Sequence, residues 1–151
     1  MAGTPYLVDS NVLLRWVKPD DRDYPLVVSV INSILQRDAI LCYTTQNVAE
    51  FWNTCTRPTN RNGYGLAPRE ADLRVRLFEH NFRLLPENLA VHQEWRRILV
   101  SQGVSGTQVH DARLVTAMRV HGVPKILTFN ERDFVRYDKI EIVHPRNMSS
   151  Y

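Results

Sequence analysis

Tyr6-Leu7-Val8-Asp9-Ser10-Asn11 sets a short apolar run against a carboxylate and two residues that open a helix. Tyr, Leu and Val in sequence predict a buried strand ending at Asp9. Ser10-Asn11 supply the side chains that cap a helix over Val12 to Val17. Working outward, the same alternation recurs. Asp20-Asp21-Arg22-Asp23 is a polar turn and a second helix runs to about Arg37. Ala39-Ile40-Leu41-Cys42-Tyr43 is a second strand, after which Thr44-Thr45 cap a helix through about Cys55. Pro58, Gly63, Gly65 and Pro68 mark Arg57 to Pro68 as a loop. Helices from about Arg69 to Asn81 and Glu87 to Gln102 flank a short strand, Phe82 to Leu85. Gly103 to Gly106 is a loop, and a helix from about Gln108 to His121 ends at Gly122. Lys125 to Phe129 and Ile140 to Val143 are the last strands, stopped by Pro145. Strands alternating with helices predict an α/β fold, a three-layer α/β/α sandwich with a mainly parallel sheet. The expected organisation is a single domain over residues 1–145 and a short C-terminal tail over 146–151.

A chain of 151 residues buries enough surface to fold without staples. Cys42 and Cys55 fall on apolar positions and read as two buried reduced thiols, not a disulfide framework or a zinc site. The five histidines, His80, His92, His110, His121 and His144, show no zinc-like spacing. The N-terminus, Met1 to Asp9, lacks a basic region followed by a long apolar one, so it does not read as a secretory signal. No apolar run is long enough to span a membrane, and a cytoplasmic location is expected. The formal net charge is +3, with sixteen arginines against three lysines. That balance permits a nucleic-acid partner without requiring one.

Parallel sheets bind ligands at the carboxyl ends of their strands. Asp9 stands at one such end; Thr128, Asn130 and Asp133 lie just past another. Each acid has a plain explanation alone. Asp9 could cap the first helix. Glu50 lies off the apolar stripe Val48, Phe51, Trp52 and Cys55, alongside Gln46, Asn53 and Thr54, as on a solvated face or a polar cleft. Asp133 could belong to a surface turn with Glu131 and Arg132. Asp111 is harder to dismiss: Leu114, Val115 and Met118 follow it at i+3, i+4 and i+7, so it continues the apolar face and not the Arg113, Thr116, Arg119 face.

Taken together these positions resemble the PIN-domain family, specifically the VapC-type toxins of toxin–antitoxin modules. Leu7-Val8-Asp9-Ser10-Asn11 looks like the family's opening strand with its metal-binding Asp. Glu50 ahead of Phe51-Trp52-Asn53 looks like its helix-borne Glu. Val109-His110-Asp111-Ala112 looks like its third acidic motif, and Ile126 to Asn130 with Asp133-Phe134 like its last. The match runs from residue 6 to about 145. One position departs: many members carry Asp where this chain has Asn130, so Asp133 is taken as the fourth acid and Asn130 as a neutral supporting group.

The resemblance implies a metal-dependent ribonuclease acting on single-stranded or loop RNA, an antitoxin partner and a homodimer. Converging carboxylates repel one another unless a cation neutralises them, and an all-oxygen set favours Mg²⁺ or Mn²⁺. The expected ligands are Asp9, Glu50, Asp111 and Asp133, with Ser10, Asn11, Thr128 and Asn130 orienting them or a bound water. Arg57, Arg61, Arg132 and Arg136 are candidates for RNA contacts. A PIN-like module that binds RNA or protein without cutting is the alternative. A phosphotransfer domain does not match: position 11 is Asn where a dehalogenase-type phosphatase has a second Asp, and a receiver's pattern of paired acids after the first strand with a late Lys is not met.

Overall fold

The computed structural model describes residues 3–148. A five-stranded parallel sheet has the order β3-β2-β1-β4-β5. Its strands are β1 (Pro5–Val8), β2 (Ile40–Tyr43), β3 (Arg83–Leu84), β4 (Lys125–Leu127) and β5 (Glu141–Val143). The central strand β1 pairs with β2 on one side, Tyr6 opposite Leu41, and with β4 on the other, Leu7 opposite Ile126. Alternate side chains leave opposite faces of a strand. Tyr6, Val8, Leu41, Tyr43 and Leu127 therefore enter one core, and Leu7, Cys42 and Ile126 a second. Both faces are apolar because both are covered, as parallel sheets require.

The first core is closed by α1 (Ser10–Trp16), α2 (Tyr24–Gln36), α3 (Thr45–Thr56) and α4 (Pro68–Asn81). Phe78 of α4 is its centre, packing edge-on against Phe51 with ring centroids 4.7 Å apart. The second core lies under α5 (Leu89–Ser101) and α6 (Gln108–His121). These two groups of helices make the three layers expected from the sequence. Both cysteines are buried and unbridged, Cys55 in the first core and Cys42 in the second. No helix among the described residues is long and apolar enough to cross a membrane.

Several boundaries differ from the sequence reading for local reasons. β4 stops at Leu127, not Phe129: the Thr128 N–H still donates to Val143 O at 3.0 Å, but the next N–H, of Phe129, leaves the sheet and donates to Asn11 Oδ1 at 3.2 Å. Thr116, read from spacing as part of a polar face, is fully buried and donates its hydroxyl to the Ala112 carbonyl at 2.8 Å. The helix α6 packs against both the sheet and α5, so one stripe does not describe it. Gly122 ends α6 as anticipated, with φ +69° and the Val123 N–H reaching back to the Met118 carbonyl at 2.8 Å. Pro145–Met148 form a 3-10 turn against α2 with Met148 buried, so this part of the anticipated tail is seated on the first core. Residues 149–151 lie outside the described residues.

The loop over 57–68 is built, not slack. Its backbone returns to the end of α3 through Tyr64 N–H to Thr54 O (2.9 Å), Gly65 N–H to Arg57 O (2.9 Å) and Leu66 N–H to Cys55 O (2.8 Å). A Cβ on Gly63 would fall 1.9 Å from the Arg57 carbonyl oxygen, so the backbone itself has to move. Gly63→Ala is expected to destabilise the fold by about 1–3 kcal/mol, read as a lower midpoint in urea unfolding. An unchanged midpoint would mean that the loop relaxes at no cost.

Candidate metal centre

The switch point of the sheet lies between β1 and β4, whose connections leave in opposite directions, and parallel sheets open a crevice there. Asp9 occupies it. Its N–H donates to Leu127 O at 3.0 Å, holding the backbone across the two strand ends, and its carbonyl accepts from Val12 and Leu13 in the first turn of α1. The carboxylate is held as firmly: Oδ1 accepts from the Ser10 N–H at 2.8 Å, and Oδ2 from the Thr128 hydroxyl at 2.8 Å and Asn11 Nδ2 at 3.3 Å. Asn11 also bonds Thr128 Oγ1 at 3.2 Å, and its Oδ1 accepts from the Phe129 N–H at 3.2 Å. Asp9 therefore caps α1 while its carboxylate stands in the crevice.

Glu50 reaches the same place from α3. Thr44 caps this helix reciprocally with Asn47: the Thr44 N–H donates to Asn47 Oδ1 at 2.9 Å and the Asn47 N–H to Thr44 Oγ1 at 3.1 Å. Asn47 Nδ2 then donates to Ser10 Oγ at 3.2 Å, and the Ser10 hydroxyl donates to Glu50 Oε2 at 2.8 Å. The other oxygen, Oε1, accepts from Gln46 Nε2 at 2.9 Å. Gln46 and Asn47 are buried, so the side of α3 that carries Glu50 is a packed polar seam on the N-terminal side of Glu50, while Asn53 beyond it is exposed. Sequence reading placed Thr44 as a cap of this helix, as found, but missed Gln46 and Asn47 as supports. The available signal was that Gln46 precedes Glu50 by one turn and shares its side of the helix.

Asp111 sits half-buried in the first turn of α6. That turn is pinned from α5 by the Trp95 indole, whose N–H donates to Val109 O at 3.0 Å. Asp133 arrives on a 3-10 turn, Glu131–Asp133, and is exposed. A cleft of about 200 Å³ is lined by Asp9, Ser10, Asn11, Leu14, Glu50, Thr54, Asp111, Asn130 and Asp133. All eight residues anticipated for the site except Thr128 line this cleft, and Thr128 lies beneath Asp9. Asn130 contributes its backbone N–H to Thr128 Oγ1 at 3.0 Å.

The electrostatics follow from the convergence. Burial pushes the Asp9 carboxyl from 3.8 up to about 6, against the hydrogen bonds from Thr128 and Ser10 and with added repulsion from Glu50 and Asp133. Burial also pushes Asp111 up to about 7, reinforced by the charges of Asp133, Asp9 and Glu50. The donor set is entirely oxygen, which suits a hard divalent cation. Among the described residues no three Asp, Glu, His or Cys side chains are gathered tightly enough to share one ion directly. The fit is therefore to a hydrated ion held by one or two carboxylates, the mode Mg²⁺ adopts, with the remaining acids reaching its waters.

The arginines divide. Arg132 lines a shallow pocket with Phe129, Asn130, Glu131 and Asp133, continuous in sequence and lining with the cleft. Arg61 is exposed at the end of the turn Thr59–Arg61. The other two have partners within the protein. Arg57 donates to Asn62 O at 3.1 Å within its own loop. Arg136 donates to Gln108 Oε1 at 2.7 Å and Gln102 O at 2.9 Å, tying α5 to α6.

A family model for the PIN domain matches residues 6–140. Solved structures of the same fold include VapBC2 from Rickettsia felis bound to a promoter DNA fragment. It has a TM-score of 0.67 and 12% identity, covering 93% of this chain and 98% of that chain. DNA-bound VapBC from Salmonella typhimurium has a TM-score of 0.67 and 18% identity, covering 96% and 99%. VapC20 from Mycobacterium tuberculosis, described as a sarcin-ricin-loop-cleaving toxin, has a TM-score of 0.59 and 12% identity, covering 80% and 86%. No curated protein matches the sequence.

Proposed function

Because the chain belongs to the PIN-domain family, we propose that it is an endoribonuclease that hydrolyses RNA phosphodiesters with a divalent cation, Mg²⁺ or Mn²⁺, as the toxin of a VapBC-type pair. The observation that carries this is the convergence of Asp9, Glu50, Asp111 and Asp133, from four distant segments, on one cleft at the carboxyl ends of β1 and β4. A bound ion would lower the pKa of a coordinated water and offset charge on the attacking and leaving oxygens. Asp9 and Asp111, whose carboxyls burial pushes toward neutrality, would gain from a cation in the cleft they both line and would be its principal ligands. Thr128, Asn11 and the Ser10 N–H fix the two oxygens of Asp9, so the ligand does not have to be ordered when the ion arrives. Ser10 and Gln46 do the same for Glu50.

In this reading RNA enters over the rim formed by Asn130 to Asp133, where Arg132 supplies a cationic contact to a phosphate. The likeness to VapBC complexes supports a cognate antitoxin as partner, and the reading includes a homodimer. The test is incubation of purified protein with single-stranded RNA. Cleavage is expected with Mn²⁺ or Mg²⁺, loss with EDTA, and recovery when the ion is returned in excess. Undiminished cleavage in a chelated sample would exclude the metal mechanism, and no cleavage with either ion would favour the non-catalytic binding module.

A further inference from the structure

Gln46 is a residue that the carboxylate cluster alone does not explain. Its side chain is buried on α3, and its Nε2 donates to Glu50 Oε1 at 2.9 Å and to His110 O at 2.8 Å. His110 is the neighbour of Asp111 in the first turn of α6. The two helices belong to opposite layers: α3 packs with α1 and α4, and α6 with α5. One amide group therefore links the element that carries Glu50 to the element that carries Asp111, across the rim of the sheet.

The energetics argue against a role in general stability. Gln46 Oε1 is buried and has no hydrogen-bond partner, an arrangement that costs folding free energy. His110 O, inside a helix, already faces the N–H four residues on. A Met or Leu of similar volume would fill the same space without burying an orphan carbonyl. What such a residue could not do is hold Glu50 against α6. Trp95 makes the matching contact from the far side, its indole N–H on Val109 O, so the turn ahead of Asp111 is gripped from both layers.

We propose that Gln46 is a positioning residue for divalent-cation capture: its amide fixes Glu50 relative to the Asp111-bearing turn of α6. This rests on the metal reading given above. Supports of this kind are worth roughly 10–100-fold in metal affinity.

The experiment is a Mn²⁺ titration, followed by the free-ion EPR signal, on the parent, Gln46→Met, Glu50→Gln and the double variant. Gln46→Met is expected to weaken Mn²⁺ binding about tenfold and to leave the unfolding midpoint of the chelated protein unchanged or higher. In the Glu50→Gln background the same substitution is expected to change affinity less than about twofold, the non-additivity of groups acting as a unit. An equal loss in both backgrounds, or none in the first, overturns the proposal. Should Gln46→Met not fold, Trp95→Phe removes the opposite grip and is expected to weaken Mn²⁺ binding in the same direction; full affinity there is the overturning result. Hydrogen exchange over residues 107–116 gives a readout independent of the ion, with faster exchange expected in Gln46→Met. If the parent takes up no Mn²⁺, the metal reading fails by itself; unchanged exchange in Gln46→Met then overturns the clamp as well.

Discussion

Asp9→Asn is expected to reduce metal-dependent RNA cleavage by at least about 10²–10³-fold, the scale seen when one charge-stabilising group at a reacting centre is removed. The substitution keeps the shape and removes the charge. Asn Oδ1 can still accept from the Ser10 N–H, so the start of α1 stays capped. The Thr128 hydroxyl and Asn11 Nδ2, which both point at Oδ2, would instead meet an amide N–H, which costs part of a hydrogen-bond network. Against that, the variant no longer buries a carboxylate whose charge burial disfavours. The two effects oppose, and the thermal transition at neutral pH is expected to stay near that of the parent. Cleavage assayed with saturating Mn²⁺ beside a melting curve is the measurement. Parent-like cleavage would remove Asp9 from the site, and a collapsed fold would show that the residue is structural first.

The second large effect is on stability against pH. The Asp9 carboxyl is raised from 3.8 to about 6 and Asp111 from 3.8 to about 7. Between these values the folded protein keeps protons that the unfolded chain has released. Stability from these groups is therefore fully present below about pH 4 and is lost as pH rises through 6 and 7. For Asp9 alone the rise corresponds to about 3 kcal/mol at neutral pH. Asp20 and Glu94, held below the usual carboxylate range by hydrogen bonds from Lys18 and Arg97, act in the opposite direction. In EDTA, urea unfolding is expected to give a lower stability at pH 7.5 than at pH 5, and Asp9→Asn to reduce that difference. Saturating Mn²⁺ is expected to restore stability at pH 7.5, because an ion that binds only the folded state favours it by mass action. A parent profile that is flat from pH 5 to 7.5 in EDTA would show that the acids are farther apart or better hydrated than the cleft indicates.

Much of this was legible in the sequence because the signals are local. Tyr6-Leu7-Val8, Ile40 to Tyr43 and Ile126-Leu127 are apolar on both faces, the mark of strands covered twice. Gly122 announces the end of α6, and Thr44 and Asp111 occupy positions where a capping group or a carboxylate belongs; α1 is capped by Asp9 and not by Ser10, which is its first helical residue and turns its hydroxyl to Glu50. Order and spacing along the chain were enough to group the four acids through a resemblance. The polar supports were not legible. Gln46 and Asn47 have the composition of a wet face, and being buried depends on α1 and α6 arriving opposite them. Thr116 looked like a polar face for the same reason, since its exposure depends on α5. Arg57 and Arg136 looked like free cations because their acceptors are backbone carbonyls and a Gln side chain, groups that no charge pattern reveals.

The sequence by itself determined the order of strands and helices, the double-sided apolar character of the sheet, and the carboxylates placed where elements begin or end. Those features are set within a turn or two of chain, where propensity and periodicity act. Tertiary structure alone decided that Asp9, Glu50, Asp111 and Asp133 face one cleft, that Ser10 and Gln46 hold Glu50 from two sides, and that Arg132 lies beside that cleft. Burial, carboxyl pKa and hydrogen-bond partnership depend on what packs against a residue from elsewhere in the chain, and that is fixed only when the layers close.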